Sequence, residues 1–397
     1  MTATSVADRA FNRLVVSIAC AVYLVGYAGY CFGESLGPLR YLVYAVPPIL
    51  VASLTLQRTP TSNKAAAVFF LTYLSLAPLG YLIGVKDTDF FFNNFIIMVL
   101  IIASFVPTIN VGIEHIRVVF LCSLAYFVLS YSLTEHGGVR LLQILKSGTG
   151  SGLDAGYDNH QGGLLGPIYA VFFYAIGAKI QLLLALVMSL LGGKRVGVIA
   201  ILIGLASIFL FRKAAALKKK RNRLIFLLAT LGVINIAASN MIYISQYSYE
   251  SLGMSVPIEE IMLGRYAIGS EMTRVIDSRS PVESLIGFGP GGADALATRV
   301  SAGTLKEPHN DWLKILYDYG IFGSVAITAF IALVFSTSAT GAVIAIASAI
   351  LMMTDNIVIY FYYQFPIVLM VGYSALRESR AQGRYSAQVA EVETLLL

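Results

Sequence analysis

The sequence predicts an all-α polytopic membrane protein with about 12 transmembrane helices and a long outer loop before the tenth span. Three observations predict it. The chain is 57% hydrophobic and only 13% charged, where an ordinary globular domain is about 45–50% apolar and about 25% charged. The apolar residues fall in runs near the roughly 20 residues that cross ~30 Å of hydrocarbon, and mean hydropathy is +0.76. The lysines and arginines gather in alternate connecting segments, as membrane topology requires. A typical water-soluble enzyme and a disordered regulator are excluded. So is a disulfide scaffold, because Cys20, Cys31 and Cys122 sit in or at the edge of apolar runs. The net charge of +6 matters through the positions of the charges rather than their sum, and no nucleic-acid partner is expected.

The predicted spans are 12–32, 41–56, 65–85, 91–108, 117–133, 163–178, 180–193, 195–211, 223–245, 320–337, 338–356 and 357–375. Segment 180–193 is the shortest and reads equally as a half-span. The first run has no small-residue cleavage pattern behind it and is read as a retained helix. Arg212, Lys213, Lys218, Lys219, Lys220, Arg221 and Arg223 form the densest basic cluster. Placing it in the cytoplasm puts both termini inside, with Arg377, Arg380 and Arg384 in the tail. The chain then divides into an N-terminal bundle of about nine spans (1–245), an outer loop (246–319), C-terminal transmembrane helices (320–376) and a cytoplasmic tail (377–397).

Long ordered loops commonly carry function. Segment 134–162 holds His136, Asp158, Asn159 and His160. In the larger loop, 257–276 spaces Ile258, Ile261, Met262, Tyr266 and Ile268 three to four apart, which suits an amphipathic helix on the membrane surface. Gly287-Phe288-Gly289-Pro290-Gly291-Gly292 is a tight turn that cannot stay helical. Pro308-His309-Asn310-Asp311 then opens a helix running from Trp312 to Tyr319 and into the tenth span. Gly192-Gly193-Lys194-Arg195 falls at the outer end of the eighth span. Cations there are costly and are expected to have a partner or to reach the headgroups.

Residues 263–323 resemble the O-antigen ligase and O-antigen polymerase superfamily, over about a sixth of the chain. The resemblance rests on Gly264-Arg265, on Gly287-Phe288-Gly289-Pro290-Gly291, and on His309-Asn310 followed by Gly320-Ile321-Phe322-Gly323. Gly193-Lys194-Arg195 fits the upstream arginine motif at the outer end of a span. The family often has Trp four residues after the loop arginine; here Gly269 stands in that place. The resemblance implies a GT-C-like glycosyltransferase in the bacterial inner membrane with its active site facing the periplasm. Its donor is a glycan on undecaprenyl diphosphate. Its acceptor is a sugar hydroxyl of a lipid-linked repeat or of lipid A–core. No metal and no cofactor are implied, and a chain-length regulator is allowed as a partner.

The residue chemistry agrees with that reading. Guanidinium groups bind phosphate oxygens in pairs and stay charged, so Arg195 and Arg265, with Lys194 beside them, suit the departing diphosphate. The plainer role for Arg265 is an ion pair with Glu259 or Glu260. His309 suits the base that takes the acceptor proton, and the positive end of a helix favours the neutral imidazole a base requires. Asn310 is expected to help bind substrate. The predicted chemistry is one displacement with inversion. His115 reads as structural or solvated, and Asp87 and Asp89 as a hydrophilic loop. Polymerisation of repeat units leads, ahead of ligation to lipid A–core, and a lipid-linked-oligosaccharide transporter is the reading from another class.

Overall fold

A computed structural model describes residues 3–32, 36–46, 49, 111–133, 160–252, 265–305, 307–358 and 360–396. The predicted third and fourth spans, His136, Asp158, Asn159, the Asp87 and Asp89 pair and Gly264 lie outside the described residues. All regular structure among the described residues is helical. The helices are α1 (Ala3–Cys31), α2 (Ile113–Leu133), α3 (His160–Ile176), α4 (Lys179–Leu191), α5 (Arg195–Lys213), α6 (Lys220–Ser239) and α7 (Met241–Leu252). They continue with α8 (Arg265–Asp277), α9 (Pro281–Ile286), α10 (Gly292–Val300), α11 (Asp311–Phe335), α12 (Ala339–Leu351) and α13 (Phe361–Leu396). A 3-10 helix covers Gly37–Ala45 and overlaps the first residues of the second predicted span.

Among the described residues three helices, α5, α6 and α11, are long and apolar enough to cross a membrane. Their unpartnered faces carry Leu202 and Phe209, Val233 and Ile236, and Phe322 and Val325, all exposed. A belt of that kind is what lipid covers. The predicted eleventh span is shorter than expected: α12 has 13 residues, about 20 Å of helix at 1.5 Å per residue. It stops at Leu351 because Met352–Val358 leaves the helical path to meet α11. The predicted ninth span also divides, at Asn240, between α6 and α7.

α12 is the centre of the bundle. Residues Gly341 to Ala349 are buried on every side, as expected of a helix that is apolar all round. It packs on α3, α5, α6, α11 and α13. The close approach of α3 to the α4–α5 turn depends on small residues. A Cβ on Gly192 would lie 1.9 Å from the Gly163 nitrogen, so a side chain there would force the two backbones apart. α6 and α11 are joined through Asn235, whose amide donates to Ser324 Oγ (2.7 Å) and Thr328 Oγ1 (3.2 Å).

Outside the bundle, α8, α9, α10 and the first turns of α11 form a small unit with its own core. Ile268, Met272, Ala293, Leu296, Leu313 and Tyr317 fill it. The apolar stripe of the 257–276 segment, where described, therefore faces protein, not a membrane surface. Gly269 is explained by the same packing: a Cβ there would come 2.5 Å from Ile242 Cδ1 of α7.

The helix that begins at Asp311 bends at Gly320, whose φ of 61° and ψ of −163° are not helical. A bend frees carbonyls, and buried carbonyls need donors. Arg279 donates to Leu316 O (2.9 Å) and Tyr317 O (2.8 Å). The Phe288 and Gly289 amides donate to Tyr317 O (3.1 Å) and Asp318 O (2.8 Å). The glycine-rich turn is thus the cap of a bent helix. Its other amides, Gly291 and Ala293, donate to the buried Asp318 carboxylate at 3.3 and 2.7 Å. Lys314 pairs with Asp294 and lies 3.9 Å from Asp318. The anion-binding capacity of this helix start is used inside the protein.

Candidate functional site

The site is organised by the non-helical segment between α12 and α13. Asp355 and Asn356 on it are 2% and 0% exposed. A buried carboxylate in an apolar bundle requires a partner, and its partner is Lys194, whose ammonium is bonded to Asp355 Oδ2. Lys194 is the N-cap of α5. A cation at that position opposes the helix dipole, typically by 0.3–1 kcal/mol, and Asp355 offsets it.

His309 approaches the same carboxylate from the other side, with Nδ1 4.0 Å from Asp355 Oδ1. Its φ is +53°, in the left-handed region that non-glycine residues enter at a cost of about 1–2 kcal/mol. Strain of this kind concentrates where a side chain must be aimed. Arg265, the first residue of α8, donates to Thr354 O at 3.1 Å. Three basic side chains from three distant parts of the chain thus meet at two consecutive residues, Thr354 and Asp355.

The residues around His309 hold the segment in place. Asn310 accepts from Leu313 N at 3.1 Å and donates to Ala238 O at 3.0 Å. It caps α11 and ties it to α6. Asp311 grips both ends of the segment: its amide donates to Met352 O (2.9 Å) and its carboxylate accepts from Val358 N (2.9 Å). Trp312, fully buried, donates from Nε1 to Ala349 O at 3.0 Å and pins the last turn of α12. Glu307 accepts from Asn356 Nδ2 at 2.8 Å. The His-Asn-Asp-Trp run supplies one inward-facing imidazole and three braces.

The structure brings together Lys194, Arg265 and His309. Arg195 is placed differently from the expectation. It is exposed in the first turn of α5 and makes no hydrogen bond or ion pair among the described residues. Consecutive residues on a helix point about 100° apart, so only one of Lys194 and Arg195 turns inward. Asn310 is also placed differently, since both ends of its amide are engaged with protein. Glu259 and Glu260 lie outside the described residues. His115 is structural, with Nε2 3.2 Å from Ser17 Oγ and Nδ1 accepting from Gly112 N at 3.2 Å. No group of acidic, histidine and cysteine side chains suited to a metal ion occurs among the described residues.

The residue that sequence reasoning missed is Asp355. The signal was present: Thr354-Asp355-Asn356 is a polar triplet inside an otherwise apolar stretch, and an ionisable residue there marks a functional site by default. A span count passed over it because a single Asp does not break an apolar window. Comparison of the whole sequence with protein-family models and with curated proteins finds no match to either.

Proposed function

We propose that the protein is an inverting glycosyltransferase of the O-antigen polymerase and ligase kind. It moves a glycan from undecaprenyl diphosphate to an acceptor sugar hydroxyl. The convergence of His309, Lys194 and Arg265 on Thr354 and Asp355 carries this reading, together with the motif resemblance across 263–323. In this reading the fold is GT-C-like with about 12 spans. The site faces the periplasm of a bacterial inner membrane, and the basic cluster at 212–223 lies in the cytoplasm.

His309 takes the proton of the acceptor hydroxyl as its oxygen attacks the anomeric carbon. The bond from that carbon to the diphosphate oxygen breaks on the opposite face, so configuration inverts. Negative charge appears on the leaving diphosphate, and the cations of this corner stabilise it. Preorganised donors of this type contribute a few kcal/mol each in a poorly hydrated site. Arg265 and the exposed Arg195 are the guanidiniums available to phosphate oxygens. Asp355 does not touch substrate; from 4.0 Å its charge balances the imidazolium that forms. The metal-free character rests on the resemblance alone. Repeat-unit polymerisation is the leading activity within this class.

The test is reconstitution of the full chain with a synthetic undecaprenyl-diphosphate oligosaccharide, with and without lipid A–core. Elongation without lipid A–core identifies the polymerase, and transfer only in its presence identifies the ligase. His309→Ala is expected to lower turnover by about 10²–10⁴, the range for a general base, with donor accumulating on the outer leaflet. A product that retains the donor configuration, or full activity in His309→Ala, overturns the mechanism. Donor trapped on the inner leaflet identifies a transporter instead.

A further inference from the structure

The opposite end of the bundle holds a second concave site, independent of the sugar-transfer reading. α12 runs from Ala339, bonded to Glu378 of α13, to the Asp355 corner, so Arg377 and Arg380 lie at the far end from His309. A cavity of about 400 Å³ opens there, lined by Arg13 of α1, Gly112 and Glu114 at the start of α2, and Tyr373, Arg377 and Arg380 of α13. Ligand pockets commonly run from about 300 to 1,000 Å³, so the space exceeds a bare phosphate and suits a small phosphorylated group.

The three arginines meet because α1, α2 and α13 pack on one another. Arg13 begins the apolar stretch Arg13–Gly29 of α1. Arg377 and Arg380 are three apart on α13 and share a face. None of the three makes a hydrogen bond or ion pair among the described residues. Arg223 at the same end is the contrast: it bonds Ser336 O, Lys218 O and Glu378. Glu378 is engaged by Arg223 and Ala339 and does not line the cavity, whose carboxylate is Glu114. Three guanidiniums held around one space repel one another unless an anion joins them, and the start of α2 adds its own partial positive charge.

We infer that this cavity binds a phosphate ester, with the phosphoryl oxygens on Arg13, Arg377 and Arg380 and the rest of the group beside Glu114 and Tyr373. The ester is either the headgroup of an anionic phospholipid or a soluble phosphate, and the two share the same recognition chemistry. Planar guanidiniums bind such oxygens as two-pronged donors.

The experiment titrates the purified full chain in detergent with short-chain phosphatidylglycerol and, separately, with glycerol 3-phosphate, read by native mass spectrometry. Binding of the lipid alone assigns a headgroup site; binding of both assigns a soluble-ester site. The pair Arg377→Gln with Arg380→Gln is expected to weaken binding at least tenfold, since a hydrogen bond to a charged group is worth about 1.5–3 kcal/mol. The pair Arg212→Gln with Lys213→Gln, at the same end but outside the cavity, should leave affinity within about twofold if local contacts rather than general charge decide. Glu114→Gln should tighten binding, a readout that does not depend on the arginine variants. Failure of both probes to bind, or equal losses in the two double variants, overturns the inference.

Discussion

At the residue scale, the proposed chemistry depends on Asp355 as well as on His309. The carboxylate is buried, paired with Lys194 and 4.0 Å from the imidazole. Asp355→Asn keeps the volume and removes the charge. It is expected to lower kcat about 10–100-fold, because the imidazolium that forms loses its balancing charge, with little change in KM. Removing one partner of a buried ion pair also costs about 3–5 kcal/mol. The double variant Lys194→Met with Asp355→Asn should therefore recover the folding loss while staying inactive, as read by thermal unfolding beside turnover.

At the element scale, the unit formed by α8, α9, α10 and the start of α11 is held by caps. Ser280 and Glu283 form a reciprocal box at the start of α9. The Ser280 backbone amide, at 2.9 Å, and its hydroxyl, at 2.8 Å, hold the Glu283 carboxyl below the usual glutamate range. A carboxyl held low stabilises the fold above its unfolded value, about 4.3. That stability is lost as pH falls through the lower folded value. Amide exchange in α9 should accelerate on acidification below about pH 4, and Glu283→Gln should remove that pH dependence. Ser280→Ala should cost about 1 kcal/mol locally, measured by the same exchange. The helix start at Asp311 was legible from Pro308-His309-Asn310-Asp311, but the break at Gly320 was not, since the sequence reads as one helix running on into the tenth span. The turn at 287–292 was legible as a turn, but its task was not. Its amides cap Tyr317 and Asp318, which lie about thirty residues on, and local sequence carries no mark of that pairing.

At the scale of the whole molecule, two polar clusters close the two ends of α12. At one end Arg223, 2% exposed, bonds Ser336 O at 3.0 Å, Lys218 O at 2.9 Å and Glu378 at 2.7 Å, and so joins α6, the end of α11 and α13. Arg223→Ala breaks the ion pair with Glu378 and leaves the buried Ser336 carbonyl without this donor, and is expected to cost about 3–5 kcal/mol. Glu378→Ala leaves Arg223 its carbonyl acceptors and should cost less. Unfolding of both variants in detergent measures the difference. At the other end the Met352–Val358 segment is clamped by Asp311, Trp312 and Glu307 and carries the site. Of the proposed site, the two loop residues His309 and Arg265 were legible through their motifs. Lys194 was legible as one of a pair of cations, though not as the inward member.

The sequence by itself determined that the described chain is helical and apolar, and where its helices begin and turn, because burial periodicity, caps and glycines act over a few residues. It also carried the basic residues and the histidine on which the proposed chemistry draws. Only the tertiary structure decided that Lys194 rather than Arg195 faces inward, that α12 stops short at Leu351, and that Thr354 and Asp355 are where three basic side chains meet. Those outcomes follow from packing between segments that lie tens to more than a hundred residues apart in the chain. There the cost of burying one carboxylate is met by a side chain whose position no local pattern records.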